Sequence, residues 1–334
     1  MFQLRYGMNP HQSPATVTPL GTPPLTVVHG TPSYLNLLDA IGAWRLVAAC
    51  GPVAAASFKH VSPAGAALAG PIHPATAGLF RVSPSSDAVT SAYVRARDTD
   101  PKSSYGDLVA VSAPVTASLA DLLRRVVSDG IIAPGYEPGV VATLSRKKNG
   151  AYLILQADPG FVPPSSEARE LYGLRLVQPI DDAPLPTGLP ADLRLALLTA
   201  RFTQSNAVVL VRDGATLGVA AGQQSRIDGV RLAGAKAQLW HRRRFAAAEG
   251  ASVQDRVTAQ LRLAETIDPP VPLREVSMAS DGALPFEDNI IEAAAHGVRH
   301  IAEPGGASRS PAIAEAAHRH GITITHTGLR LFHH

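Results

Sequence analysis

Two adjacent residues carry the clearest chemical potential in this 334-residue chain: Lys59 and His60, inside the segment SFKHVSPAG from Ser57 to Gly65. An imidazole is the side chain best suited to taking up and returning a proton near neutral pH. A neighbouring cation disfavours the charged form of an imidazole, the form a general base must avoid. The apolar run Val53-Ala54-Ala55-Ala56 leads into the pair, so it is expected at the exit of a buried strand. Successive side chains of a straight strand face opposite ways, so both residues can serve one site only where the chain turns. The Ser62-Pro63-Ala64-Gly65 segment is the expected turn. Taken without its context, the same pair is an ordinary exposed loop edge.

Other polar groups are expected where strands end. Asn206 opens an apolar strand. Gln223-Gln224-Ser225-Arg226 opens a helix, offering backbone N–H groups and a guanidinium to an anion. Pro304-Gly305-Gly306 has a similar cradle geometry. Arg5 beside Tyr6, and Arg330 beside Leu331-Phe332, suit a phosphate or carboxylate clamp. Each of these residue types is also a common cap, turn or surface group. Ser205 is a weak nucleophile and a better hydrogen-bonding group. The chain has no phosphate-binding loop of the G-x-x-x-x-G-K type, no G-x-G-x-x-G opening a helix and no G-x-S-x-G, so nucleoside triphosphate, dinucleotide and nucleophile-elbow chemistry are not indicated. Twelve histidines include no H-E-x-x-H, and one cysteine cannot supply a P-C-x-x-C set, so no metal centre is expected.

The elements that must position these groups read as alternating α/β. The length and the 46% hydrophobic content allow two domains with a large core. No apolar stretch reaches the length of a membrane span, and the N-terminus MFQLRYGMNPHQ lacks a secretory pattern. Cys50 is the only cysteine, which suits a reducing cytoplasm. The net charge of +3, with basic residues clustered only at Arg146-Lys147-Lys148 and Arg242-Arg243-Arg244, makes no nucleic-acid footprint. Helices are expected over 36–50, 118–127, 192–200 with Asp192 as N-cap, 226–242, 288–295 and 311–318. Strands are expected over 53–58, 108–111, 130–133, 207–211, 216–220, 298–302 and 322–325, with Asp213-Gly214 as a hairpin turn. Helix 288–295, strand 298–302, helix 311–318 and strand 322–325, with Gly297 and Gly321 where the helices stop, make a parallel βαβ pattern. Residues 159–190, rich in Pro, Asp and Ser, are the expected linker.

The segments LRYGMNPHQ, SFKHVSPAGAA, SSYGDLVAVS, VSDGIIAPGYEPGVVATLSRKKNG, TQSNAVVLV, AAGQQSRIDGVRLAGAKA, SDGALPFEDNI and THTGLRLFHH together resemble the AICAR transformylase domain of the bifunctional AICAR transformylase/IMP cyclohydrolase family of purine biosynthesis, in family order and along nearly the whole chain. The resemblance implies an α/β fold of two cytidine-deaminase-like α/β/α halves without zinc: residues 1–165, a linker at 166–190 and residues 191–334. It implies a homodimer with active sites at the interface, 10-formyltetrahydrofolate as cosubstrate and no catalytic metal. Neither nucleic acid nor membrane is an expected partner, and a cytoplasmic location is expected. Lys59, His60 and Asn206 match the family's catalytic positions, with His60 as general base. Arg226 matches the carboxamide contact, and Asn36, Gly106 and Asp129 match nucleotide contacts. Arg5, Tyr6, Arg330 and Phe332 fall at the ribose-phosphate end. Ile227, Pro285, Phe286, Asp288 and Asn289 fall on the folate side.

The chain also departs from the family pattern. It starts on the transformylase motif, so no cyclohydrolase domain is expected. The segments 244–275 and 179–190 are shorter than the family's. The family's SDAFFPF reads here Ser280-Asp281-Gly282-Ala283-Leu284-Pro285-Phe286, which puts Ala283 where an aromatic ring lies against the nucleotide base. Losing that ring removes on the order of 1 kcal/mol of stacking and opens space. Lys102 replaces an apolar folate-side residue, and Gly305-Gly306-Ala307 lacks a family serine. Three readings stay open: a transformylase acting on AICAR, a formyltransferase for another acceptor amine, and a non-catalytic nucleotide- or folate-binding paralogue.

Overall fold

The computed structural model describes residues 2–51 and 53–334. A short antiparallel pair, β1 (Phe2–Leu4) and β2 (Ala15–Val17), precedes strand β3 (Leu25–His29) and helix α1 (Tyr34–Cys50). A hairpin follows, β4 (Ala54–Lys59) and β5 (Ser62–Leu68), then α2 (Pro74–Phe80), α3 (Ala88–Thr99), β6 (Asp107–Val111), α4 (Ala117–Arg125), β7 (Ser128–Ala133), α5 (Val140–Leu144) and β8 (Leu153–Ala157). The second run begins with a ribbon, β9 (Ser166–Leu171) and β10 (Leu174–Pro179). It continues through α6 (Ala191–Arg201), the hairpin β11 (Val208–Arg212) and β12 (Ala215–Ala220), α7 (Arg226–Arg243) and α8 (Val253–Thr266). It closes with β13 (Val276–Ser280), α9 (Asp288–Ala295), β14 (Val298–Glu303), α10 (Ser310–Arg319) and β15 (Thr323–His326).

One 11-stranded mixed sheet runs β15-β14-β13-β11-β12-β5-β4-β6-β7-β8-β3. It contains the same arrangement twice. In each block an antiparallel hairpin (β4–β5 or β11–β12) lies beside a parallel trio, with the first hairpin strand antiparallel to the trio. The blocks join side by side where β12 meets β5, at Ala215 opposite Ala67. Thr216 reinforces the seam: its hydroxyl accepts from the Ala66 N–H at 2.9 Å, and its carbonyl accepts from the Thr99 hydroxyl at 2.7 Å.

Alternation along the strands sorts the core into layers. Ala54, Ala56, Phe58, Ala110, Val209 and Ala279 face α1 and α6, which share one side of the sheet. Ala55, Val109 and Ile131 face α3 and α4 on the other side. Val208, Leu210, Met278 and Ile301 face α7, α9 and α10. The central strands are apolar on both faces because helices cover both, as expected of an α/β sheet.

Two sequence expectations are revised, and a third gains detail. Ser62-Pro63-Ala64-Gly65 is not a turn but the first part of β5, and the chain reverses at His60-Val61 instead. Asp192 is not the cap of α6; Pro190 is, and the Asp192 carboxylate accepts from the N–H groups of Asp213 and Gly214 at 2.9 and 2.7 Å. The segment expected as a linker carries the exposed β9–β10 ribbon, reversed at Tyr172-Gly173, both at positive φ. Its Pro, Asp and Ser content lies in the flanks, so composition concealed the paired middle.

Gly65 shows why β5 tolerates no side chain there. A Cβ would sit 2.2 Å from the Ala96 carbonyl oxygen and 2.5 Å from Thr99 Cβ, both on α3. Gly65→Ala is therefore expected to lower the free energy of unfolding by about 3 kcal/mol through overpacking. Urea denaturation checks this, and an unchanged midpoint would refute the close packing of α3 on β5.

Candidate active site

The β4–β5 turn places His60 and Val61 at φ of 56° and 62°, the left-handed region. Two-residue hairpins of this kind favour Asn-Gly, because both residues take positive φ. A β-branched valine there is strained, at a cost of about 1–3 kcal/mol. The turn persists because it is tied down. Asp39, on α1, accepts the Val61 N–H at 2.6 Å. The Lys59 ammonium donates to the Tyr105 carbonyl at 2.6 Å. Because the chain reverses at His60, Lys59 and His60 are freed from the opposite-face rule of a straight strand. His60 is exposed and Lys59 half-buried.

Beneath the turn lies a buried polar brace. The Ser57 hydroxyl, inside β4, lies 2.7 Å from Asp107 and 2.8 Å from the Ser104 hydroxyl. Asp107 pairs with Arg97 at 2.7 Å, and Arg97 also donates to the Tyr93 hydroxyl and the Val127 carbonyl. Burial works against the Arg97 charge, yet Asp107 and Tyr93 outweigh it and hold the guanidinium above its usual value. The brace fixes β4 to β6 and to the loop bearing Tyr105 and Gly106. Gly106, at φ 79°, lies against Asp129, whose carboxylate receives Lys148 at 2.6 Å. Burial, against the opposing pull of Asp107, lowers the neighbouring Lys147 to about 7. Its ammonium reaches the Ser128 hydroxyl and sits 4.3 Å above the Tyr152 ring.

Arg5 and Tyr6 are locked together, the guanidinium 3.0 Å from the phenolic oxygen and 4.8 Å over the ring. Backbone bonds from Arg5 N–H to Pro32 and from Tyr34 N–H to Tyr6 dock them at the start of α1. Asn36 spends its carbonyl oxygen on the Ser33 N–H in a capping box, an assignment its sequence neighbours did not reveal. The first half thus gathers Arg5, Tyr6 and Asn36 at one helix start, and Lys59, Gly106 and Asp129 beside it. Asp39, Ser57 and Asp107 support this group and were missed in the sequence, where isolated Asp and Ser residues carry no pattern. A cavity of about 560 Å³ opens between Tyr34 and the loop from Gly7 to Ala15. Lys59, His60 and Asn206 do not line it.

The second half builds a separate cluster. Arg226 donates to Asp281 and, at 2.8 Å, to the Asn206 amide oxygen. The Asn206 amide nitrogen donates to the Gln224 carbonyl at 3.3 Å, leaving its second hydrogen free. The Ser205 hydroxyl donates to Asp281 at 2.6 Å and accepts from the His333 N–H, and the Ser205–Asn206 peptide is cis. Ser205 is thus a structural hydrogen-bonding group. A Cβ on Gly282 would meet both Arg226 and Phe332, so those two side chains flank the same point. Arg330 lies 4.8 Å over the Phe332 ring. Ile227 is half-buried beside Arg226, as are Ala283 and Pro285 in the segment that follows Asp281. Phe286 is exposed under Arg309, and Asp288 bonds Asn289. The Asn289 amide oxygen is buried without a partner. Between the clusters, the Ser62 hydroxyl accepts from the Gln204 N–H at 3.3 Å, joining the start of β5 to the loop before Asn206.

The sequence model of the AICARFT/IMPCHase bienzyme matches residues 1–236. The chain belongs to this family. The match includes the Lys59-His60 turn, Asn206 and Arg226, and stops within α7 before Asp281 and Phe332. The family is one of purine biosynthesis and of the transformylase type. In this transformylase domain Cys50 offers no nucleophile, since burial pushes its thiol up to about 12. Among the described residues, no cluster of three or more His, Cys, Asp or Glu is arranged to hold a metal, and no helix is long and apolar enough to cross a membrane.

Lys147 holds its proton less tightly in the folded chain than in the unfolded one, so it makes stability rise with pH between about 7 and 10.5. Lys147→Met removes that contribution. The stability of wild type relative to the variant is expected to grow across this interval, as read by chemical denaturation at several pH values. A constant difference would show that the lysine is not held neutral.

Proposed function

We propose that this chain transfers the formyl group of 10-formyltetrahydrofolate to the 5-amino group of AICAR, releasing tetrahydrofolate. The observation that carries this reading is the clamped turn that presents Lys59 and His60, joined to the Asn206 loop by the Ser62–Gln204 bond. The acceptor amine is a poor nucleophile, because its lone pair is delocalised into the imidazole carboxamide. Its nitrogen attacks the formyl carbon and His60 takes the proton it releases. The carbonyl electron pair moves to oxygen, where the Lys59 ammonium and the free Asn206 amide hydrogen stabilise the oxyanion. Collapse re-forms the carbonyl and breaks the bond to the folate N10, which receives the proton from His60.

Further features support the finer points of this reading. The repeated hairpin-plus-parallel-trio order fits two cytidine-deaminase-like halves, with the ribbon region between them. Arg5, Tyr6 and Arg330 suit the nucleotide phosphate, and Arg226 its carboxamide. The unpartnered Asn289 oxygen beside Phe286 suits the hydrogen-bonding edge and flat ring of a pterin. Exposed Phe286 and Phe332 suit a site completed by a second copy of the chain in a cytoplasmic homodimer. A second reading rests on half-buried Ala283, whose methyl group, beside the Gly282 contact with Arg226 and Phe332, fills less space than the aromatic ring of the family pattern and so suits a different acceptor amine.

His60→Ala is expected to lower kcat by at least about 100-fold while leaving nucleotide binding measurable, in an assay of tetrahydrofolate release from 10-formyltetrahydrofolate and AICAR. Retained turnover would overturn the assignment of the base. Ala283→Phe is expected to shift acceptor preference towards AICAR. Equal preference before and after would remove the pocket explanation for the second reading.

A further inference from the structure

Asp39 lies on α1, one helical turn beyond Asn36, and is only 6% exposed. We infer that Asp39 is the positioning residue of His60, acting through the hydrogen bond that its carboxylate accepts from the Val61 N–H. This inference rests on the reading of His60 as general base. The 2.6 Å bond holds a turn whose two residues both sit at positive φ and neither of which is glycine. Without it, the valine would relax towards negative φ and carry the His60 backbone with it. An imidazole displaced by about 1 Å can lose on the order of 100-fold in rate.

The chain supplies its own comparison. The β11–β12 turn occupies the same place in the second block and reverses at Asp213-Gly214, also at positive φ. There, too, a carboxylate near the start of the preceding helix, Asp192 of α6, accepts the turn's N–H groups. The device is therefore built twice, once for a turn sequence that adopts the geometry readily and once for His-Val, which does not. Asp39 is also held at some expense to stability. Burial pushes its carboxyl up to about 6, against the Val61 bond and the charge of His60, while Asp129 on β7 adds repulsion. A raised carboxyl favours the fold most at low pH and loses that benefit as pH rises to about 6, so the ionised group is a net burden at neutral pH.

The test compares Asp39→Ala, which removes the acceptor, with Asp39→Asn, which keeps an acceptor oxygen without the charge. Asp39→Ala is expected to lower kcat about 100-fold with KM for both substrates within about threefold, and to abolish hydrogen-exchange protection of the Val61 amide. Asp39→Asn is expected to keep that protection, recover at least about tenfold of the lost kcat, and unfold at or above the wild-type temperature at pH 8. Wild-type turnover in Asp39→Ala after loss of Val61 protection would overturn the inference, as would equal losses in both variants. If Asp39→Ala does not fold, Asp39→Asn decides: a loss of kcat as large as about 100-fold with Val61 still protected overturns the inference. His60→Ala, measured beside them, separates the two levels. Loss of turnover there with none in Asp39→Ala sinks the positioning role alone, and retained turnover sinks the base and its positioning together.

Discussion

The buried Arg97–Asp107 ion pair is the interaction on which the rest of the site depends. It joins α3 to β6 and, through Ser57, grips β4 from within the sheet. Removing one partner of such a pair leaves an uncompensated charge in the interior, a loss of about 3–5 kcal/mol. Its geometry also settles where the loop from Asp100 to Gly106 runs, since Ser104 shares the Ser57 hydroxyl. That loop supplies the carbonyl that receives Lys59 and the glycine that lies against Asp129. Ionic pairing in the core is thus translated into the placement of groups at the surface.

The continuous sheet gives those groups a rigid base. Hairpins from both blocks meet at its centre, where β12 and β5 are held by Thr216 and Thr99 rather than by a long ladder. The β11–β12 turn lies at the far end of β5, where the Leu68 N–H reaches the Gly214 carbonyl, while the β4–β5 turn lies beside the loop that precedes β11. A second dense ionic group, with Asp98 receiving Arg243 and Arg244, ties the end of α7 to α3 across the same boundary. Each block carries its own cluster of polar side chains, and the hydrogen bond between Ser62 and Gln204 is where they approach.

Much of this was legible in the sequence, for identifiable reasons. The hairpin around Asp213-Gly214 follows from turn chemistry alone, and the closing βαβ succession from glycines at helix ends. The apolar runs and the helix-opening pattern placed Lys59 at the end of β4, Asn206 just before β11 and Arg226 at the start of α7. Helix α3 was silent because Arg97, Asp98 and Thr99 are buried along with its apolar residues, which removes the polar stripe that reveals a helix. The turn at His60-Val61 was misplaced because neither residue favours positive φ, while Pro63 and Gly65 next to it advertise a turn that does not form. Asp39 and Asp107 act through partners distant in sequence, so nothing near them signals a role.

The strained turn has a consequence for how the domain can change. Natural chains shed unfavourable backbone conformations readily, since substitutions such as Asn-Gly at a two-residue reversal improve stability without altering the fold. On the proposed reading of His60 as general base, that route is closed at positions 60 and 61. Selection for robustness therefore has to act elsewhere, in the seam, the ribbon or the helix ends. On that reading, a peptide geometry open to improvement is held in place by the side chain it presents.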